Sequence, residues 1–571
     1  MTAKSIRREH IRVRPFDPAV VETLVKELGV SEPFGRILAC RNILSREALT
    51  RFMQPRLEDF FDPFLFTDMG KAVERIQEAV ARREKIVIYG DYDVDGVSAT
   101  VLLMSVFRNI GAECAYYLPN RLTEGYGMSL AGIDEIHRLG GRLIVSVDCG
   151  ITAVREVERA ASLGIDVIIT DHHEPQSDLP RAVAVLDPKV DGCGYPDRNL
   201  AGVGVALKLC QALARATGRD DSLWLEHLDL VSIGTAADIV PLTGENRIIV
   251  KHGFAQLAQT RNLGIRKLIA QQGLEGKSLS TSDVVFYLAP CINAAGRLGD
   301  STRGVKLLLS EDEGEAALFA RELVEMNRER RALDTYVQEE AQRWVEHNVD
   351  LQKEYAIVAG KEDWHTGVIG IAASKLVDKF CRPTFLFSCA ADGFAKGSGR
   401  GVKGLHLLNA LKECGDLLEG FGGHEAAAGA HIKVENIPLF RKKFNAAVAA
   451  QLCMDDLVPL VHADAEVPFR LLGAQLFRDI QQMQPFGPGN MRPVLVCREL
   501  KSRHEPRIVG KNHLKMTVAG DGLVMDAIAF NFAQRFEEIK FAQSMTMAFS
   551  LDENTFNGRT TLQMKVKGVE T

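Results

Sequence analysis

The chain has 571 residues, 46% hydrophobic and 25% charged, a globular composition that excludes a disordered or collagen-like polypeptide. Its length predicts about three or four domains. With 69 Lys and Arg against 75 Asp and Glu, the net charge is −6, which excludes a basic coat over the whole surface but not a local basic groove. No apolar run approaches the ~18 residues of a membrane span, and the basic first residues lack the apolar core of a secretory signal. The 11 cysteines, an odd number without a CxxC pair, read as reduced, mostly buried thiols of a cytoplasmic protein.

Residues 1–80 read as an N-terminal helical segment packed on the domain that follows, with amphipathic helices at 46–54 and 69–82. Then the pattern changes. Short β-branched runs at 85–89 (KIVIY), 115–118, 143–147 (LIVSV), 167–170 (VIIT) and 184–186 alternate with helical stretches at 98–109, 130–139, 153–163 and 203–216. Nearly continuous apolar strands alternating with helices predict a doubly wound parallel α/β sheet, placed at 81–310. Residues 311–350 are charged, helix-forming and free of proline, which predicts one long linking helix, or two. A second α/β domain is expected at 351–456, with strands at 355–359 and 384–388 around a helix at 367–380. Residues 457–571 carry short alternating runs that predict a small antiparallel β-barrel. Its local basic run is Arg503, Arg507, Lys511, His513 and Lys515, and Phe530 and Phe532 are assigned to the barrel core.

The chemistry lies where the first set of strands ends. The run 85–89 is followed by Asp91, Asp93 and Asp95, 143–147 by Asp148, and 167–170 by Asp171-His172-His173; Asp238 adds a later carboxylate. In an open parallel sheet, ligands bind outside the carboxyl ends of the strands. So many like charges in one crevice repel unless cations sit among them. Two divalent ions resolve the conflict, and an oxygen set with one imidazole suits Mn²⁺ or Mg²⁺, the histidine favouring Mn²⁺. Such a pair can activate a water and stabilise the leaving oxygen of an in-line phosphoryl displacement. Asp91 has two readings, a brace for its turn or a member of the cluster. Gly202 and Gly204 read as close helix packing. Lys396, Arg400 and Lys403 bracket small residues whose backbone N–H groups would cradle a phosphate.

These segments resemble the sequential motifs of the DHH phosphoesterase superfamily, spelled out by Asp171-His172-His173, and the stretch 420–429 (GFGGHEAAAG) is similar to the signature of its companion DHHA1 domain. Within the superfamily the resemblance is to the RecJ family of bacterial single-strand-specific 5′ to 3′ DNA exonucleases. It includes the stretches 118–121 (LPNR), 124–127 (EGYG), 293–297 (NAAGR) and 397–400 (GSGR). The resemblance implies a DHH catalytic domain, a DHHA1 domain and a C-terminal OB fold that binds single strands. It implies that Asp93 holds one ion and Asp95 the other, with Asp148 on both and His172 and Asp238 completing the second site. His173 then contacts the scissile phosphate or donates a proton. Ser398 and Arg400, with Arg121, form a pocket for the 5′ end; Lys396 lies beside them, Asn293 and Arg297 hold the backbone, and His424 lines a cleft too narrow for duplex. Many relatives carry a histidine where this chain has Tyr89, which implies fewer protein ligands at one ion. The implied partners are single-stranded DNA, a single-stranded-DNA-binding protein and a helicase, for a cytoplasmic monomer in recombination and repair. The alternatives are a phosphoesterase for oligonucleotides, cyclic dinucleotides or polyphosphate, and a non-catalytic DNA-binding scaffold.

Overall fold

A computed structural model describes residues 9–121, 124–556 and 558–571. The chain opens with strand β1 (His10–Val13) and helices α1 (Pro18–Leu28), α2 (Glu32–Ala39), α3 (Arg46–Met53) and α4 (Met69–Arg82). It then forms β2 (Lys85–Gly90), α5 (Val94–Asn109), β3 (Cys114–Tyr117), α6 (Leu130–Arg138), β4 (Gly141–Val147), α7 (Val154–Ser162), β5 (Asp166–Thr170), β6 (Ala184–Leu186) and α8 (Gly202–Ala216). The five strands pair in parallel in the order β3-β2-β4-β5-β6. Alternation along each strand feeds two cores. Ile86, Ile88, Leu143, Val145 and Ile168 pack under α5 and α8, while Val87, Tyr89, Ile144, Val167 and Ile169 face α6 and α7. Each such buried aliphatic side chain contributes about 1.5–3 kcal/mol. The strand order reverses direction between β2 and β4, so a crevice opens at their carboxyl ends.

Seven more helices complete this unit: α9 (Ser222–Leu225), α10 (Leu228–Ala237), α11 (Gly244–Leu257), α12 (Leu263–Gln271), α13 (Thr281–Asp283), α14 (Ala289–Leu298) and α15 (Thr302–Leu309). The linking segment is the single 36-residue helix α16 (Glu313–Asn348).

Next come β7 (Ile357–Lys361), α17 (Ile369–Phe380), β8 (Thr384–Cys389), β9 (Phe394–Arg400), α18 (Leu407–Lys412), β10 (Leu418–Gly423), β11 (Ala427–Lys433) and α19 (Ile437–Ala449). Their sheet runs β10-β11-β9-β8-β7. The C-terminal elements are β12 (Leu460–Ala463), β13 (Ala465–Glu466), α20 (Ala474–Gln482), β14 (Leu495–Ser502), β15 (Arg507–Val509), β16 (His513–Gly520), β17 (Leu523–Ala529), α21 (Phe536–Lys540), β18 (Met545–Phe556) and β19 (Arg559–Glu570). Strands β14-β18-β19-β17-β16 close into a barrel through a β14–β16 pairing, and β17 and β19 run parallel, the five-stranded OB arrangement. The barrel is therefore mixed where the sequence pattern predicts a purely antiparallel one.

The chain forms two compact units, 54–331 with 485–491, and 1–53 with 332–484 and 492–571. This corrects two expectations. The N-terminal segment is not one helical piece on the catalytic domain, because β1 pairs in parallel with β12 and carries residues up to 53 into the C-terminal unit. Residues 485–491 belong to the catalytic unit, where the Pro488 carbonyl accepts the Leu242 N–H.

Phe530 is also corrected. Alternation along β17 buries Ala527 and Ala529, which leaves the next ring 45% exposed, edge-on to His513 with the Lys565 ammonium 5.5 Å from its centroid. Phe532 is half-buried, with the Arg535 guanidinium over its ring.

Candidate metal centre and its surroundings

The ends of β2, β4 and β5 bring the expected carboxylates together. Asp93 is the N-cap of α5, its Oδ1 accepting the N–H groups of Asp95 and Gly96 at 2.9 and 3.2 Å. Two residues on, Asp95 is buried and accepts from Gly202 and Val203 at the start of α8, at 2.7 and 2.9 Å. The N–H groups of two helix N-termini thus orient both carboxyl groups toward the crevice. Asp148 follows β4 with φ 59°, a left-handed conformation that turns its side chain into the crevice. Gly202 makes room for it: a Cβ there would lie 2.6 Å from Asp148 Oδ1. The glycine read as helix packing serves the site directly.

Ligand atoms of Asp91, Asp93 and Asp148 lie within 4.8 Å of one another, as do those of Asp95, His172 and Asp238, and those of Asp148, His172 and His173. The His172 Nε2 stands 3.2 Å from Asp148 Oδ1 and 3.5 Å from Asp238 Oδ2. Asp91 Oδ1, Asp148 Oδ1, Asp238 Oδ2 and both ring nitrogens of His172 are buried without a hydrogen-bond partner. Orphaned acceptors at this density are costly unless a cation satisfies them. The donor set of oxygens with one neutral imidazole fits a pair of hard divalent ions. Asp91 leaves an acceptor open toward the cluster instead of spending it on its turn.

The electrostatics say the same. Burial, then the charges of Asp95 and Asp93, hold the Asp148 carboxyl well above the usual range. Burial and the Asp93 charge push Asp95 up to about 7, and burial with Asp95 and Asp93 pushes Asp238 up to about 9. Burial drives His172 down to about 3, so its ring is neutral and free to ligate. Acids whose folded pKa is raised bind protons in the native state that the unfolded chain has released. Without metal, stability is therefore expected to fall as pH rises above the ordinary carboxyl range near 4, the loss ending at about 7 for Asp95 and about 9 for Asp238. Thermal melts in chelator should show Tm decreasing across that window, and saturating Mn²⁺ should raise Tm most at its alkaline end, where the carboxylates are free of protons.

Asp171 plays a different part. Its Oδ1 accepts from the His172 and His173 N–H groups and from His173 Nδ1 at 2.7 Å, and its Oδ2 from Ile151 N at 2.9 Å. Burial opposes the anion, yet the hydrogen bonds from His173 and Ile151 bring its pKa below the ordinary value. For His173 burial lowers the pKa, and the Asp171 hydrogen bond and charge outweigh it, leaving it raised.

A residue that sequence reasoning missed is Asp187, the first after β6, with Oδ1 on Lys189 N and Oδ2 buried without a partner. Its signal was the same as that of the other strand ends. Tyr89 lies in the core beneath α6 and α7, its hydroxyl accepting the Ser129 N–H at 3.1 Å.

Asn293 and Arg297 come from α14, and Arg121 from the segment after β3. The Asn293 amide oxygen accepts Val94 N at 3.1 Å, so it braces the start of α5, and Arg297 lies one turn further along α14. Arg121 stands over the Tyr92 ring at 5.0 Å.

In the other unit, no backbone cradle forms over 394–400. These residues are β9, paired with β8 and β11, and their N–H groups belong to the ladders. Its glycines reflect packing, since a Cβ at Gly397 or Gly399 would come within 2.5 Å of the Phe385 ring. Lys396, Ser398 and Arg400 share one face. Arg400 donates to Ser398 Oγ at 3.0 Å, and Gly370 of α17 lies directly over the pair. His424 is exposed in the turn between β10 and β11.

Comparison with known proteins agrees with these domains. The DHH family N-terminal domain matches residues 85–235, the DHHA1 domain 352–450 and the RecJ OB domain 463–568. The chain is 37% identical over 570 residues to the single-stranded-DNA-specific exonuclease RecJ of Bacillus subtilis, covering 99% of this chain and 71% of that one. It is 36% identical to RecJ of Escherichia coli, covering 94% and 95%. The crystal structure of RecJ in complex with Mn²⁺ from Thermus thermophilus superposes with a TM-score of 0.84 at 28% identity, covering 99% of this chain and 80% of that one. A resemblance that spans all three domains at this identity places the chain in the RecJ family of DHH proteins, to which it belongs.

Proposed function

We propose that this chain is a metal-dependent exonuclease that hydrolyses single-stranded DNA from its 5′ end, acting in recombination and repair. The observation that supports it most is the gathering of these ligand atoms, of which Asp91 Oδ1, Asp148 Oδ1, Asp238 Oδ2 and the His172 ring nitrogens are buried with no hydrogen-bond partner among the described residues. Asp91, Asp93 and Asp148 would hold one Mn²⁺ or Mg²⁺, and Asp95, His172, Asp238 and Asp148 the other. Bound there, the ions supply an activated water and charge neutralisation for in-line displacement at phosphorus.

The protein's own groups do the rest. His173, oriented by Asp171, delivers a proton to the departing 3′ oxygen. Arg121 and Arg297, with Asn293 bracing α5, hold the backbone at the crevice. Lys396, Ser398 and Arg400 supply side-chain cations and a hydroxyl for the 5′ end, with His424 beside them. The exposed Phe530 with Lys565 and His513 forms a stacking and charge-bearing face suited to bases and phosphates. We place the enzyme in the cytoplasm as a monomer working with a single-stranded-DNA-binding protein and a helicase; no described helix is long and apolar enough to cross a membrane.

The deciding measurement is cleavage of single strands labelled at either end, beside a duplex and a dinucleotide, with chelator or Mn²⁺. Mononucleotides should leave from the 5′ label first, only with metal and only from the single strand. A preference for the dinucleotide would move the chain to the short-substrate phosphoesterases, and binding without cleavage would make it a scaffold.

A further inference from the structure

Next to the carboxylates, the segment 124–129 forms a pinned arch. The Glu124 carboxylate accepts from Asn120 N at 2.8 Å, from the Tyr117 hydroxyl at 2.8 Å and from Ser129 Oγ at 2.7 Å. Ser129 in turn gives its N–H to the Tyr89 hydroxyl and caps α6 through Gly132 N at 3.0 Å. Between these anchors, Gly125 and Gly127 take φ values of 90° and 83°, open only to glycine at ordinary cost, and lift the single residue between them. That residue is Tyr126. Its ring stands edge-on to Tyr92 and His173, and its hydroxyl lies 3.2 Å from the Asp148 carbonyl oxygen and 3.1 and 3.0 Å from His173 Nδ1 and Nε2.

The hydroxyl donates to the Asp148 carbonyl, which turns its lone pairs to the imidazole. It stands within hydrogen-bond distance of both ring nitrogens. Asp171 holds Nδ1 at 2.7 Å. The imidazole is therefore gripped between a carboxylate on Nδ1 and a phenol beside Nε2. Tyr89 anchors this arch from the core below.

We propose that Tyr126 is a positioning residue for the hydrolysis, its hydroxyl fixing the His173 ring so that Nε2–H meets the leaving oxygen. This rests on the exonuclease reading above. In the step it serves, the water oxygen bonds to phosphorus as the P–O3′ bond breaks. The O3′ takes the His173 proton, and a proton from the attacking water is released to restore the imidazole.

The test compares wild type, Tyr126→Phe, His173→Ala and the double variant in single-turnover cleavage of a 5′-phosphorylated strand with Mn²⁺, and strand binding in chelator. Tyr126→Phe keeps the ring and should lower kcat about 10–100-fold, the range for losing an orienting partner, with KM and metal-free Kd within twofold. In the His173→Ala background the same substitution should cost nothing further, because the two groups act as one. A Tyr126→Phe enzyme with wild-type kcat overturns the proposal. So does a loss that persists in full without His173, or one that appears as weaker strand binding, either of which marks a merely structural role. A wild-type protein that cleaves no strand overturns the exonuclease reading itself and this inference with it.

Discussion

Asp148→Asn is expected to abolish strand cleavage, a fall of about three orders of magnitude or more, while raising the Tm of the metal-free protein. The two effects have one cause. Asp148 is buried and shared by two clusters of ligand atoms, and Asp95, Asp93 and Asp238 all repel its charge. Replacing the acid removes the cost of holding it buried among like charges when no metal is bound and weakens the ion sites, whose contribution to transition-state charge is several kcal/mol, each 1.36 kcal/mol being about tenfold in rate. Asparagine is the informative replacement because it tolerates the φ of 59° at this position, whereas alanine adds backbone strain of its own. The checks are thermal melts with chelator and with Mn²⁺, beside turnover of a 5′-labelled strand. Wild type should gain Tm on adding Mn²⁺, and the variant should start higher and gain little. Near-normal turnover in the variant would remove Asp148 from the centre of the site. A lower metal-free Tm would show that like-charge repulsion is not what the metal relieves.

The sheet and most of the site are legible in the sequence because their signals are local. An apolar β-branched run marks each strand, and an acidic residue after it marks the crevice. Asp91, Asp93, Asp95, Asp148 and His172 lie just after such runs, and Asp187 obeys the same rule, overlooked although the run 184–186 before it reads as a strand.

What is not legible depends on distant partners. The glycines at 397 and 399 read as a phosphate loop, yet they exist because the Phe385 and Phe387 rings press on a central strand. Strand β1 is four residues whose pairing partner lies some 450 positions away, and no local pattern announces it. The role of Asp171 as the group that orients His173, and not as a ligand, appears only in its four hydrogen bonds. Likewise Gly202 is needed because of how close α8 comes to Asp148, a residue more than fifty positions earlier.

The largest expected effect on stability lies behind the site, at Lys208 on α8. Its ammonium is fully buried, 3.0 Å from Glu245 Oε1 and 2.8 Å from the Phe61 carbonyl, with the Phe60 ring centroid at 4.9 Å. Glu245 also accepts from Phe61 N and the Tyr195 hydroxyl, so the pair ties the segment before α4 to α8 and α11. Burial lowers the lysine pKa and raises that of the glutamate, so each charge is tolerated only because the other is present. Lys208→Met strands the carboxylate and should cost about 3–5 kcal/mol, a Tm loss of roughly 5–8 °C for a unit of this size. Lys208→Met with Glu245→Gln removes both charges and keeps an acceptor for Phe61 N, so it should recover most of that loss. Turnover by the folded fraction should stay near wild type, because neither residue touches the carboxylate cluster. Additive losses in the double variant would mean that packing, not the stranded charge, sets the cost.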